Sequence, residues 1–197
     1  MILKGRNEHV KPSEVFLRSK NNEEEEEEVS RGLIDFIDYG DEANSFLKTI
    51  GVLSYPSIEN LAQLLIDRQK EYFIGDERLI SLKLLFYTNC LKQMSIGSRL
   101  TEELNSEPLK NRLRNECWCL AYQYLPNSTE RTFVIVKPSD VYLDDDHQSA
   151  QDLRPLCAPD EPDLISLYHQ FGSKWLSEHV QRTLIHTGCF VFLFIIQ

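Results

Sequence analysis

Residues Val136–Val180 read VKPSDVYLDDDHQSAQDLRPLCAPDEPDLISLYHQFGSKWLSEHV. The first eight of these residues have a near copy at Val10–Leu17, VKPSEVFL. Six of the eight positions are identical, and the other two exchange Glu for Asp and Phe for Tyr, which keeps charge and shape. Such a self-match predicts one structural unit used twice. Both copies lead into acidic residues, Glu23–Glu28 and Asp144–Asp146. Both then enter an apolar segment closed by glycine, NSFLKTIG ending at Gly51 and SLYHQFG ending at Gly172. Glycine is favoured just past a helix end because it takes positive φ without a Cβ clash. The blocks stand 126 residues apart and the glycines 121, a difference that surface loops absorb.

Working outward, Leu33–Tyr39 alternates enough for a short strand, and Asp41 is placed to cap a helix reaching Ile50, with Phe46, Leu47 and Ile50 on one face. Ser57 caps a second helix carrying Ile58, Leu61, Ala62 and Leu65 at helical spacing. Gly75-Asp76 breaks it, and a third helix follows over Glu77–Lys92 with Leu79, Leu82, Leu85 and Phe86 inward. Pro108 suits the first turn of a short helix to Asn115. The period then changes to two. Cys117–Leu125 and Thr132–Val136 flank a polar turn and predict a β-hairpin. Val141–Leu143 adds a short strand, Pro162 opens a helix to Gly172, and Ser173 is placed to cap a last helix with Trp175, Leu176, Val180 and Leu184 inward.

The predicted class is α+β: two related strand-then-helix-pair units separated by a helical segment and a β-hairpin. Residues 1–56 form the first unit with an acidic loop at 21–30, residues 57–116 the helical segment, and 117–188 the hairpin plus the second unit. Residues 189–197 are an apolar tail, read as a buried strand or, preferably, a truncated end. The first unit lacks the leading hairpin of the second, which suggests a chain that begins inside a domain.

Hydrophobic residues make up 42% of the chain and aromatics 10%, enough for a packed core. Net charge is −10, and six of the negative charges belong to Glu23–Glu28, so the acidity is local. That run predicts a solvated, disordered loop. Phosphate binding needs a basic surface, so nucleic acid is not the expected partner. The apolar run Cys189–Ile196 is far below the roughly 20 residues of a membrane span. Five cysteines without a disulfide pattern predict reduced thiols and a cytoplasmic or otherwise intracellular protein.

Candidate chemistry is sparse. Cys117 and Cys119 face the same way on a strand, with His147, Cys157, His169, His179, His186 and Cys189 downstream. Only His186 and Cys189 have zinc-like spacing, so buried structural cysteines and scattered histidines are expected. No sequence pattern pairs a cysteine with a base. Asp144–Asp146 lacks the glycine turn and distal glutamate of a calcium loop, and reads as a solvated loop. Ser13 and Ser139 follow proline and suit a local turn; neither sits in the glycine-flanked elbow of a hydrolase. There is no glycine-rich phosphate loop. Catalytic, cofactor-binding and metal-binding residues are therefore expected to be none.

The blocks VKPSEVFL and VKPSDVYLDD, with LKTIGV and FGSKWLS downstream, resemble the non-catalytic middle region of large sacsin-like proteins, most closely their fungal relatives. The resemblance covers roughly residues 10–180. It implies a body segment of a protein whose N-terminal ATPase domain is of the heat-shock-protein-ninety and histidine-kinase type. The ATP-binding motifs of that domain are absent from these 197 residues, so the resemblance transfers no catalytic role, and the glutamate run departs from the family pattern. Two functions follow as expectations. One is a non-enzymatic structural and client-contact segment of a chaperone-type ATPase protein, with protein partners or other domains of a longer chain. The other is a stand-alone adaptor that binds a basic partner through its acidic loops.

Overall fold

The computed structural model describes residues 15–18, 28–74, 77–100, 104, 106–126, 128–186 and 190–196. Pro12, Ser13, Glu23–Glu27, Gly75-Asp76 and Cys189 lie outside the described residues. The chain forms two compact units, 1–104 and 105–197. Both mix helices with two-stranded sheets, so the class is α+β.

The first unit contains β1 (Phe16–Leu17), β2 (Phe36–Ile37), α1 (Asp41–Thr49), α2 (Ile58–Tyr72) and α3 (Ile80–Leu100). The second contains α4 (Glu107–Asn115), β3 (Cys119–Tyr124), β4 (Arg131–Val136), β5 (Tyr142–Leu143), α5 (His147–Leu153), α6 (Pro162–Phe171), β6 (Lys174–Trp175), β7 (Val180–His186) and β8 (Phe190–Ile196). No helix among the described residues is long and apolar enough to cross a membrane.

The two eight-residue blocks end in matching strands. Phe16 N–H donates to Asp35 C=O at 3.1 Å, and Tyr142 N–H donates to Leu156 C=O at 2.8 Å. Phe16 pairs in parallel with Phe36, and Tyr142 bridges in parallel to Cys157. Each partner residue leads into a helix that stops at a glycine in the left-handed region, Gly51 at φ 96° and Gly172 at φ 116°. The helix-end hydrogen bonds also match. Gly51 bonds Lys48 C=O and Val52 bonds Leu47 C=O; Gly172 bonds His169 C=O and Ser173 bonds Tyr168 C=O. These are the bonds of a Schellman ending. Beyond each glycine the chain returns along the other edge of the first strand. Leu17 N–H reaches Leu53 C=O, and Leu176 N–H reaches Leu143 C=O.

Several sequence expectations change. Gly40, not Asp41, is the residue ahead of α1, which buries none of its residues fully; Phe46 and Ile50 are exposed. On α3 the inward face is Lys83, Tyr87, Cys90, Leu91, Met94 and Ser95, while Leu82 and Leu85 are exposed. Lys83 is tolerated there because its ammonium donates to Tyr72 C=O at 2.6 Å and lies 5.1 Å from the Tyr72 ring centroid. A Cβ on Gly97 would overlap Ile58, so glycine lets α2 and α3 approach closely. Finally, the segment after Gly172 is not a helix. Ser173 Oγ donates to Pro138 C=O instead of capping, and Lys174–Trp175 pairs in parallel with β5. After β5 the chain thus passes through α5 and α6 and returns as the strand β6, where a helix had been expected after Gly172.

Other expectations match. Ser57 caps α2 through Asn60 N–H at 3.2 Å. The hairpin β3–β4 forms in full register, with Gln123 opposite Thr132 and Cys119 opposite Val136. The tail, read preferably as a truncated end, contains the strand β8, paired antiparallel with β7. The acidic stretch does not run as far as expected, since Val29 and Ser30 are buried and Tyr72 Oη donates to Val29 C=O at 2.7 Å. In the first unit, Asp35 is 7% exposed and its carboxylate meets Arg68 at 2.8 Å. That pair ties the approach to β2 onto α2 with a charge-assisted bond.

Candidate functional site

The densest polar cluster of the second unit forms around the three aspartates between β5 and α5. None of the three is a free loop carboxylate. Asp146 caps α5: Oδ1 accepts from Ser149 N–H at 3.2 Å and Oδ2 from Ser149 Oγ at 2.7 Å. Asp145 accepts from Ser177 N–H at 2.9 Å and from its hydroxyl. Asp144 turns inward, its side chain only 5% exposed. Its Oδ2 accepts from Tyr122 Oη at 2.7 Å and lies 2.7 Å from His147 Nδ1, while Oδ1 is buried and accepts no hydrogen bond among the described residues. The reading of Asp144–Asp146 as a solvated loop is corrected. The aspartates fix α5, the β6 return and the hairpin to one another.

β3 supplies the rest. Tyr122 exchanges two 2.8 Å backbone bonds with Cys157, so Cys157 sits as a one-residue strand between β3 and β5. The Arg131 guanidinium lies 4.2 Å from the Tyr122 ring centroid and 5.0 Å from that of Tyr124, and donates to Tyr124 Oη at 2.8 Å. Beneath them Tyr122, Tyr124, Ala150, Cys157 and Leu176 pack as one apolar cluster. Burial, then the bond to Asp144, raises the pKa of the Tyr122 phenol, which therefore stays protonated. Burial, reinforced by the Asp144 charge, pushes the Cys157 thiol up to about 12. Burial, then the neighbouring Cys117, raise Cys119 well above the ordinary thiol value.

The structure thus brings Asp144, His147 and Cys157 into one cluster and leaves Cys117, Cys119, Ser139, His169 and His179 outside it; Cys189 and the His186 side chain lie outside what the structure describes. Cys119 is buried on β3, and Cys117 precedes the strand, half-buried. His169 stacks against Trp175 at 5.9 Å, and His179 lies edge-on to Tyr142 at 5.8 Å. Ser139 Oγ donates to Asp140 at 3.2 Å. Among the described residues no group of three or more His, Cys, Asp or Glu could hold a metal ion. Tyr122 and Arg131 were not singled out by sequence; Arg131 stands opposite Tyr124 and diagonal to Tyr122 on a hairpin whose register only the strand pairing fixes.

Chemically, an aspartate holding an imidazole is the orienting half of an acid–base pair. His147 is 64% exposed and accessible. The cluster supplies no activated nucleophile beside it, however. Ser149 Oγ is committed to Asp146, and the Cys157 thiol is held protonated. A separate cleft of about 400 Å³ in the first unit is lined by Leu17, Arg18, Asp38, Asn44, Lys48 and Ser54 among others. There Asp38 Oδ1 is engaged by Gly40 N–H at 2.9 Å and Asn44 Nδ2 at 2.8 Å.

Against known families, residues 3–189 match the one described as protein of unknown function (DUF3684). The chain belongs to that family. The match runs through both units, so the two blocks and their closing glycines are parts of one DUF3684 region. Comparison with curated proteins and with solved structures finds no match.

Proposed function

We propose that this DUF3684 chain is a non-enzymatic structural and protein-contact segment of a sacsin-like, chaperone-type ATPase protein, with the ATPase domain outside these 197 residues. The observation that carries the reading is the commitment of the Asp144 cluster. Its carboxylates anchor Tyr122, Ser149 and Ser177 from three separate elements. Its thiol is shielded and protonated. Such a network fixes a fold and leaves no group free to attack a substrate. The sacsin-like resemblance of the two blocks supplies the chaperone context.

Site-resolved alkylation tests it. On native protein near neutral pH, iodoacetamide followed by mass spectrometry should modify Cys117 readily and leave Cys119 and Cys157 unmodified until denaturant is added. Rapid native modification of Cys157, suppressed by His147→Ala, would instead identify an activated thiol and sink the reading.

The adaptor reading draws on one observation, that six of the 31 acidic residues stand together at Glu23–Glu28 in a chain of net charge −10. Deleting the run distinguishes the two. Loss of binding to a polylysine probe with unchanged thermal unfolding favours the adaptor. Unchanged interactions favour the structural segment.

A further inference from the structure

Four of the five described residues with positive φ are glycines: Gly32, Gly40, Gly51 and Gly172. The fifth is Arg154, at φ 53° and ψ 47°, just past the end of α5. A Cβ crowds the following carbonyl in that region, so glycine or asparagine is the usual residue at such a helix end. Pro155 follows, and a residue ahead of proline is ordinarily extended. The backbone of position 154 holds the turn. Arg154 N–H donates to Ala150 C=O at 3.0 Å, and Arg154 C=O accepts from Gln123 Nε2 at 2.6 Å. Glycine would make both bonds without the strain. The turn therefore does not call for arginine.

Nor does packing of the charged group. The Arg154 guanidinium makes no hydrogen bond, ion pair or ring contact among the described residues. Arg154 lines a cleft of about 380 Å³ between the β3–β4 turn and the end of α5, with Leu125, Ser128, Thr129, Gln151 and Asp152. Ser128 Oγ accepts from Glu130 N–H at 3.0 Å, which leaves its own proton to donate. Thr129 adds a second hydroxyl and Gln151 an amide. Asp152 is the one carboxylate of the lining, and Gln148 Nε2 donates to it at 2.9 Å. Strain that the backbone does not require, at a cation without a partner among the described residues, in a cleft of hydroxyl and amide donors, points to a binding residue.

We propose that this cleft binds a carboxylate, with the Arg154 guanidinium as its two-pronged anchor and the Ser128 and Thr129 hydroxyls as further donors. The planar fork of arginine matches the two oxygens of a carboxylate. Asp152 repels a second negative charge, which favours a singly charged group over a phosphate dianion. Leu125 gives apolar contact to whatever carries the carboxylate. The cleft is distinct from the Asp144 cluster, and the inference holds whether or not the chain belongs to an ATPase protein.

The test is titration of the full chain with sodium acetate at constant ionic strength, followed at the amides of Ser128, Thr129, Gln151 and Arg154 by nuclear magnetic resonance. Sodium chloride and inorganic phosphate serve as the competing arms. Saturable shifts with acetate are expected, at a Kd of about 10 mM or tighter, a range open to a ligand of so few atoms. Arg154→Gln should weaken binding about tenfold or more, since a charge-assisted bond is lost. Arg154→Gly should lose binding equally while its thermal midpoint stays level or rises, because glycine relieves the strain. Shifts that chloride reproduces would overturn the proposal, and so would tighter binding of phosphate than of acetate. Full binding by Arg154→Gln would overturn it as well. A midpoint lowered in Arg154→Gly would show that the side chain serves the fold, which is the opposite conclusion.

Discussion

Trp118→Ala should be the most damaging single substitution in the second unit. Trp118 is fully buried, packs edge-to-face on Tyr168 and Phe171, and its Nε1–H donates to Leu113 C=O at 2.6 Å. Removing it opens a large cavity at the junction of α4, β3 and α6 and leaves that carbonyl without its donor. Large-to-small changes of this kind cost about 3–5 kcal/mol, and the orphaned acceptor adds to the loss. Chemical denaturation followed at the amides of Leu120 and Tyr122 by hydrogen exchange reads the second unit directly, which matters because a two-unit chain need not unfold in one step. Phe46→Ala supplies the contrast. Phe46 is mostly exposed, so its loss should stay within about 0.5 kcal/mol. Equal destabilisation by the two substitutions would mean that Phe46 is buried in solution.

The second large effect lies at alkaline pH. Burial pushes Cys90 and Cys157 up to about 12 from the ordinary thiol value of 9.0, and raises Cys119 and Tyr122 as well. The folded protein therefore keeps protons that the unfolded chain releases. The stability these groups contribute is fully present below about pH 9 and is lost as pH rises towards 12. At one tenfold factor per pH unit, each of the two thiols withdraws at most about 4 kcal/mol across that window. Denaturation midpoints measured from pH 8 to 11 should fall steeply above 9. Cys157→Ala should flatten the slope for the second unit, lowering stability slightly at pH 8 and leaving the variant the more stable of the two near pH 11. A slope that Cys157→Ala leaves untouched would show that this thiol does not titrate with unfolding.

Both expectations rest on features that differ in how far the sequence discloses them. Gly51 and Gly172 close their helices as the local pattern predicts, because a positive-φ ending is decided by the residue itself. Ser57 caps α2 for the same local reason. The β3–β4 hairpin follows from alternating apolar residues around a polar turn. The segment after Gly172 carries no such signal. Trp175, Leu176 and Val180 fit one helix face as well as they fit strands, and the choice falls to strand because Leu143, over thirty residues earlier, offers its backbone to Leu176. On α3, leucines occur on several sides, so composition does not say which side faces α2. Tyr72 decides it by taking the Lys83 ammonium.

The candidate site divides along the same line. The sequence alone determined two blocks with glycine-closed helices, an α+β class and five cysteines without a disulfide pattern, since those depend on residue type and short spacing. Only the tertiary structure decided that Asp144–Asp146 is an anchoring cluster, that Cys157 lies between two strands, and that Trp118 covers α6 while nothing equivalent among the described residues covers α1. Each of those outcomes depends on at least one partner more than twenty residues away. Three carboxylates in a row have the same composition whether they face water or meet a tyrosine and two serines brought there by the fold.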